Sequence, residues 1–213
     1  MVSLEDLRSR LMTQFSQMCA RTGMFARTAE GAYRASVQLQ QTLAYIDERE
    51  DAYDAEHTRC RTEDFREFGP PRMGAWFDAA PNNVARGAAE VFAWHAELGA
   101  RFGWVDAPRL SPPDWERLVA TAAALQPTDG TWTRERVQSE LPTASLVVDG
   151  IIYCYAPPQD DGRWLFADIV QPAGNPRLFP EAPLRSFRLP GPGPMYDRLA
   201  LTPAGAALLA SGY

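Results

Sequence analysis

The sequence contains no lysine; all 21 of its basic residues are arginine. Guanidinium groups pair with carboxylates in planar forks and stack on aromatic rings, so the charged surface is built for those contacts. Histidine is scarce as well, with only His57 and His95. No His-Glu-x-x-His pair occurs, and the histidines and cysteines are dispersed without ligand spacing, so no metal or other cofactor is expected. Cys19, Cys60 and Cys154 are odd in number and far apart, with no Cys-x-x-Cys pair. That excludes a disulfide framework and points to buried free thiols in a reducing compartment.

Other absences narrow the function further. No apolar run approaches the roughly 20 residues needed to span a bilayer. Residues 1–10 carry charges of both signs in place of an apolar leader, so the expected location is the cytoplasm, away from any membrane. There is no Gly-x-Ser-x-Gly elbow. Gly191-Pro-Gly-Pro-Met lacks the free backbone N–H groups that a phosphate nest uses. A net charge of −6 and a pI near 5.0 count against nucleic acid as a partner, since neutralising phosphates requires clustered cations.

Proline is missing from the first 69 residues and frequent afterwards, although the chain has 18. Proline removes a donor and breaks helix interiors, so this contrast divides the chain into a helical region, 1–68, and an α+β region, 69–213. In the first region Leu4, Leu11, Met18, Phe25, Ala32, Leu39 and Ile46 recur every seven residues, widened by Leu7, Phe15, Ala29 and Leu43. Ser3 with Asp6 is suited to a capping box. A seven-residue repeat kept over this length predicts a coiled-coil seam or bundle helix. Two arrangements satisfy it: one helix from Ser3 to His57, or a hairpin turning at Thr22-Gly23, where glycine weakens the helix.

Beyond Gly69-Pro70-Pro71 the patterning predicts helices over Asn83–Phe102, from Pro112 to Leu125, and over Trp132–Leu141. A three-stranded antiparallel meander is expected near 144–171. Its first two strands, Ser145–Val148 and Ile151–Tyr155, flank the two-residue turn Asp149-Gly150, and Arg163–Gln171 forms the third. The turn is read as pairing Val148 with Ile151 and Leu146 with Tyr153. Both faces are apolar, so both are expected to be covered. Residues from Pro172 to Pro194 read as an extended, irregular, proline-rich segment, followed by a short helix, Pro203–Ala210. The expected class is α+β: a long N-terminal helix or helical hairpin, then a mainly helical body with the meander.

Few residues suggest chemistry. His57 and Cys60 lie three apart, but a Cys–His nucleophile pair normally meets across a fold, and a charged helix end is the simpler reading. His95 shares an apolar helix face beside Trp94, which fits a core histidine. Glu48, Glu50, Asp51, Asp54 and Glu56 form an acidic cluster that reads as a solvated face, and Asp160 and Asp161, near Asp168, as a solvated acidic loop. Six tryptophans are expected to build cores, with one or two free to anchor an interface.

Two stretches resemble a known family. Leu201-Thr-Pro-Ala-Gly-Ala-Ala-Leu-Leu is similar to the segment after the wing in winged-helix regulators, and Thr133-Arg-Glu-Arg-Val-Gln-Ser-Glu-Leu to the second helix of such domains. The resemblance implies DNA binding with the Asp-Gly hairpin as wing. It departs from the pattern in placing the strand Leu146–Val148 where the recognition helix should stand.

The sequence thus leans away from an enzyme. It points to an adaptor-like interaction or regulatory protein acting through an apolar helical seam, Leu4, Leu11, Met18, Phe25, Leu39, Leu43 and Ile46, and partnered by another protein or by itself as a homo-oligomer. The alternatives are a winged-helix-like DNA-binding regulator and a small enzyme or ligand binder with a site near His95, Trp94 and the meander.

Overall fold

The computed structural model describes residues 3–21, 29–64, 84–125, 132–159, 163–170, 179–191 and 198–210. Among them are seven helices and a five-stranded sheet, an α+β fold. The chain divides into two compact units, Met1–Asp106 and Ala107–Tyr213. The composition boundary at 68/69 lies outside the described residues.

The first unit is helical. Helix α1 (Leu4–Ala20) starts at the expected capping box: the Ser3 hydroxyl accepts from the Asp6 N–H at 3.0 Å, and the Asp6 carboxylate accepts from the Ser3 N–H at 3.2 Å. Helix α2 (Ala29–Ile46) packs against α1, and α3 (Glu50–Asp64) against α2. Helix α4 (Val84–Arg101) packs on both α1 and α2.

The single-helix alternative does not hold. Arg8 donates to Asp47 through Nε at 2.6 Å and Nη2 at 3.0 Å. On one straight helix these residues would stand about 58 Å apart. The chain therefore doubles back between Arg21 and Ala29, as the hairpin alternative requires; residues 22–28, including Gly23, lie outside the described residues. Nor does the helix run on to His57. It stops after Ile46, where Glu48 takes a left-handed conformation at φ 54°. The Arg49 N–H reaches back to the Ala44 carbonyl at 2.8 Å and the Glu48 N–H to the Tyr45 carbonyl at 3.2 Å, the paired bonds of a Schellman ending. The apolar stripe keeps its phase through Ile46 while the backbone breaks just beyond it.

Phe15, Met18, Leu43, Trp94 and Trp104 form the heart of this unit, each at most 2% exposed. Gly99 on α4 lies directly against the Phe15 ring, where any Cβ would collide with it. Glycine here permits close approach of α1 and α4.

The second unit is built on the sheet, an antiparallel meander in the order β1-β2-β3-β4-β5: Leu146–Val148, Ile152–Tyr155, Leu165–Ile169, Leu184–Arg188 and Leu199–Leu201. It has five strands where the sequence suggested three. The additional β4 emerges from the proline-rich segment because Pro183 and Pro190 bracket a proline-free run, Leu184–Leu189; its two arginines disguised a fully buried strand. The first register also differs. Asp149 and Gly150 both have positive φ, 50° and 71°, as a type I′ turn demands, and the Ile151 N–H donates to the Val148 carbonyl at 3.0 Å. Yet Ile151 is an extra residue, and the ladder pairs Val148 with Ile152, Val147 with Tyr153 and Leu146 with Cys154. One inserted residue shifts the pairing by one, and with it which side chains share a face.

Strands β2, β3 and β4 are buried along their whole lengths, as two covered faces require. One face carries Tyr153, Ala167 and Phe187, paired across the strands. Helix α6 (Arg134–Glu140), capped by Thr133, lies over it. Arg134 Nε and Gln138 Nε2 donate to the Tyr153 hydroxyl at 3.0 and 2.8 Å, and Trp132 meets Phe187 edge-on at 6.0 Å. Helix α5 (Pro112–Ala123) has Pro112 at its first position, as expected, and Ser111 caps it. Helix α7 (Pro203–Ala210) packs on β4 and β5, and Gly205 sits on the Arg185 carbonyl with no room for a Cβ. Residues 141–145 pass from α6 into β1 without a helix, so the second helix of a helix-turn-helix is missing at that point.

Candidate functional site

The sequence-derived seam is divided by the fold. Met18 and Leu43 are fully buried inside the first unit, so they are already used within the chain. Leu11, Leu39 and Ile46 are half-buried, and Phe25 lies outside the described residues. Leu4 remains 62% exposed and Leu7 41% exposed. The reason is geometric. Arg8 pairs with Asp47, the first residue after α2, so the opening turn of α1 runs on past the end of its hairpin partner. Tyr45, in the last turn of α2, is 71% exposed.

This end of the hairpin is held rigidly. Besides both Arg8 bonds, the Asp47 carboxylate accepts from Trp104 Nε1 at 2.9 Å, and Trp104 is fully buried. The Arg8 hydrogen bond is the main cause that holds Asp47 below its usual carboxylate range, with Trp104 adding to it; the same bond raises Arg8. Arg49 lies over the Phe102 ring at 4.4 Å. Around the exposed leucines the charges separate along α1: the acidic Glu5 and Asp6 precede the basic Arg8 and Arg10.

The histidines sit in a different environment. His95 is fully buried, with its Nδ1 2.9 Å from Gln40 Oε1. Gln40 Nε2 donates to the His95 carbonyl at 2.9 Å, which fixes the amide orientation, and Oε1 also accepts from the Tyr53 hydroxyl at 3.2 Å. An amide oxygen only accepts, so the Nδ1 nitrogen carries a proton. Burial, reinforced by the nearby His57, lowers the His95 pKa well below its ordinary value. His57 stacks on Tyr53 at 5.5 Å and lies 6.3 Å from His95 between ring centres. Sealed from solvent, His95 ties α2 to α4 through Gln40; it is a core histidine, as its apolar face suggested. The Cys60 side chain, and with it the His57–Cys60 pair, lies outside the described residues.

Of the acidic cluster, Glu48, Glu50, Asp51 and Asp54 are exposed. Glu56 is half-buried and bridges Arg59 and Arg101, and Arg101 also pairs with Glu97 at 2.8 Å. Asp160 and Asp161 lie outside the described residues. Asp168 belongs to no solvated loop: it is 6% exposed within β3 and paired with Arg185 of β4. Burial pushes the Cys19 thiol up to about 12, which makes it inert as a nucleophile. Among the described residues no group of three or more His, Cys, Asp or Glu side chains gathers as a metal site, and no helix is long and apolar enough to cross a membrane.

Tyr45 was missed in the sequence because it falls outside the seven-residue stripe, and only the backbone break after Ile46 reveals it as part of a helix end. Trp94, Trp104, Trp132 and Trp164 are core residues, whereas Trp115 is half-buried at the start of α5. No protein-family model, curated protein or solved structure matches the chain.

Proposed function

We propose that this chain is a non-enzymatic interaction protein that docks through the overhanging end of the α1–α2 hairpin, with a second copy of itself as the first partner. The observation that carries the reading is the pair of exposed leucines, Leu4 and Leu7, on a helix end fixed by the Arg8–Asp47–Trp104 linkage. A pre-organised apolar surface loses little entropy on docking. Antiparallel pairing of two α1 helices about Leu7 sets Glu5 of one near Arg10 of the other, a self-complementary charge pattern. Leu11 and Ile46, half-buried beside the patch, extend the contact.

The test is mass in solution by light scattering. The wild type is expected near twice the chain mass of 23.7 kDa, and the double variant Leu4→Asp/Leu7→Asp near that of one chain. Both positions are exposed, so the variant keeps its fold, which circular dichroism checks. A wild type that stays monomeric at high micromolar concentration, or a variant of unchanged mass, sinks the proposal. Substituting Leu39 and Ile46 is less informative, because these half-buried residues also pack within the unit.

A further inference from the structure

The second unit holds a cleft of about 360 Å³ that the docking surface does not involve. It lies at one end of the sheet, where β2 ends, β3 begins and β4 ends. Pro157, Pro158 and Gln159 follow β2, Arg163 precedes β3, Pro190 follows β4, and the first turns of α5 contribute Pro112, Trp115 and Glu116. Four of the eight lining residues are prolines, whose rings are rigid before any ligand arrives.

The lining selects among ligand chemistries. The volume stands at the small end of the range for small-molecule sites, roughly 300–1,000 Å³, which suits a compact molecule better than an extended chain. A phosphate is disfavoured. Pro112 and Pro113 remove two of the N–H groups that a helix start would offer, the Ser111 hydroxyl takes that of Asp114, and Glu116 opposes an anion. Among the described lining residues one carboxylate, Glu116, and one guanidinium, Arg163, balance in charge. What the cleft offers is one indole, that of Trp115, among four saturated proline rings. The electron-rich face of a flat ring suits proline C–H groups, and the same ring stacks on Trp115. The Gln159 amide supplies one donor group and one acceptor for the ring's polar edge.

We propose that this cleft binds a small, uncharged, planar heteroaromatic molecule, stacked on Trp115 between the proline rings, with its edge hydrogen-bonded to Gln159.

Saturation-transfer NMR on the full chain tests this, with indole and adenine as planar probes and cyclohexanol as a saturated control. Transfer to the ring protons of both planar probes, and none to cyclohexanol, is the expected result. Trp115→Ala should weaken the planar probes by about tenfold or more, the scale of a lost stacking contact. Gln159 is exposed, so Gln159→Arg keeps the fold while filling the mouth of the cleft, and it should abolish transfer even where Trp115→Ala folds poorly. No transfer to either planar probe at millimolar concentration, equal transfer to cyclohexanol, or signals unchanged in Gln159→Arg would each overturn the assignment.

Discussion

The two units solve the same problem, fixing one arrangement of elements, by different means. In the first unit the helices are tied by a few side-chain bonds between residues far apart in sequence: Gln40 to His95, Asp47 to Arg8 and Trp104, and Glu56 to Arg101. Helix surfaces slide past one another at little cost, so such polar links select one register from several with similar apolar burial. In the second unit the backbone ladder sets register directly, and each strand pairs with its neighbour in sequence. The lesson is that buried polar side chains act as position markers in the helical unit. In the sheet unit they are an additional load that the ladder must carry.

The heaviest such load is the Asp168–Arg185 pair, with both side chains at most 8% exposed. Asp168→Ala removes the carboxylate paired with the buried Arg185 guanidinium and is expected to destabilise the second unit by about 3–5 kcal/mol. Urea unfolding followed by circular dichroism measures this. The comparison is sharpened by the double variant Asp168→Leu/Arg185→Met: if the ladder alone sets the register, apolar replacements should recover most of the loss. A double variant as unstable as the single one would show that the charge pair also specifies the sheet, and the contrast between the units would fail.

The same difference governs what the sequence revealed. Local signals were legible: the Ser3–Asp6 box, Pro112 in the first turn of α5, and the Asp149-Gly150 turn all stand where the residue types place them. The extra residue Ile151 was not legible, because nothing in its side chain distinguishes a bulge from a plain hairpin. Strand β4 was hidden because Arg185 and Arg188 are polar in the sequence and buried in the fold, one against Asp168 and the other over the Phe166 ring at 3.6 Å. In the helical unit the stripe announced apolar helices but not their partners. A seven-residue repeat looks the same in a hairpin and in an intermolecular seam, and only non-local contacts show that Met18 and Leu43 are used internally while Leu4 and Leu7 are left outside. The cleft was invisible for a similar reason, since its walls come from four separate stretches of chain.

A smaller effect probes the marker role of His95. Its pKa is lowered in the folded state, so between that value and about 6.5 the unfolded chain binds the extra proton. Stability is therefore complete above about pH 6.5 and falls as the pH drops below it, by about 1.4 kcal/mol per pH unit until the folded-state pKa is reached. The depressed carboxylate Asp47 does not contribute in this window, because its own loss begins only near and below its ordinary value of 3.8. Urea unfolding from about pH 7 to about pH 5 should show the slope in the wild type and a much flatter profile in His95→Gln. An unchanged slope in the variant would transfer the effect to another group and remove His95 from the list of markers.

The smallest effect concerns the turn that ends α2, where the helical unit depends on backbone conformation as the sheet unit does at Asp149-Gly150. Glu48 holds a left-handed conformation at φ 54° in the position that usually falls to glycine. A side chain there costs roughly 1–2 kcal/mol per residue, part of which glycine gives back through its greater freedom in the unfolded chain. Glu48→Gly should thus stabilise the first unit by about 0.5–1 kcal/mol, seen as a small rise in melting temperature. Glu48 is exposed, so no packing is lost in the exchange. If the variant is instead destabilised, the Glu48 side chain contributes to the hairpin end in a way its exposure does not suggest. Glu48 would then join the Arg8–Asp47–Trp104 linkage and the Arg49–Phe102 contact in holding this end in place.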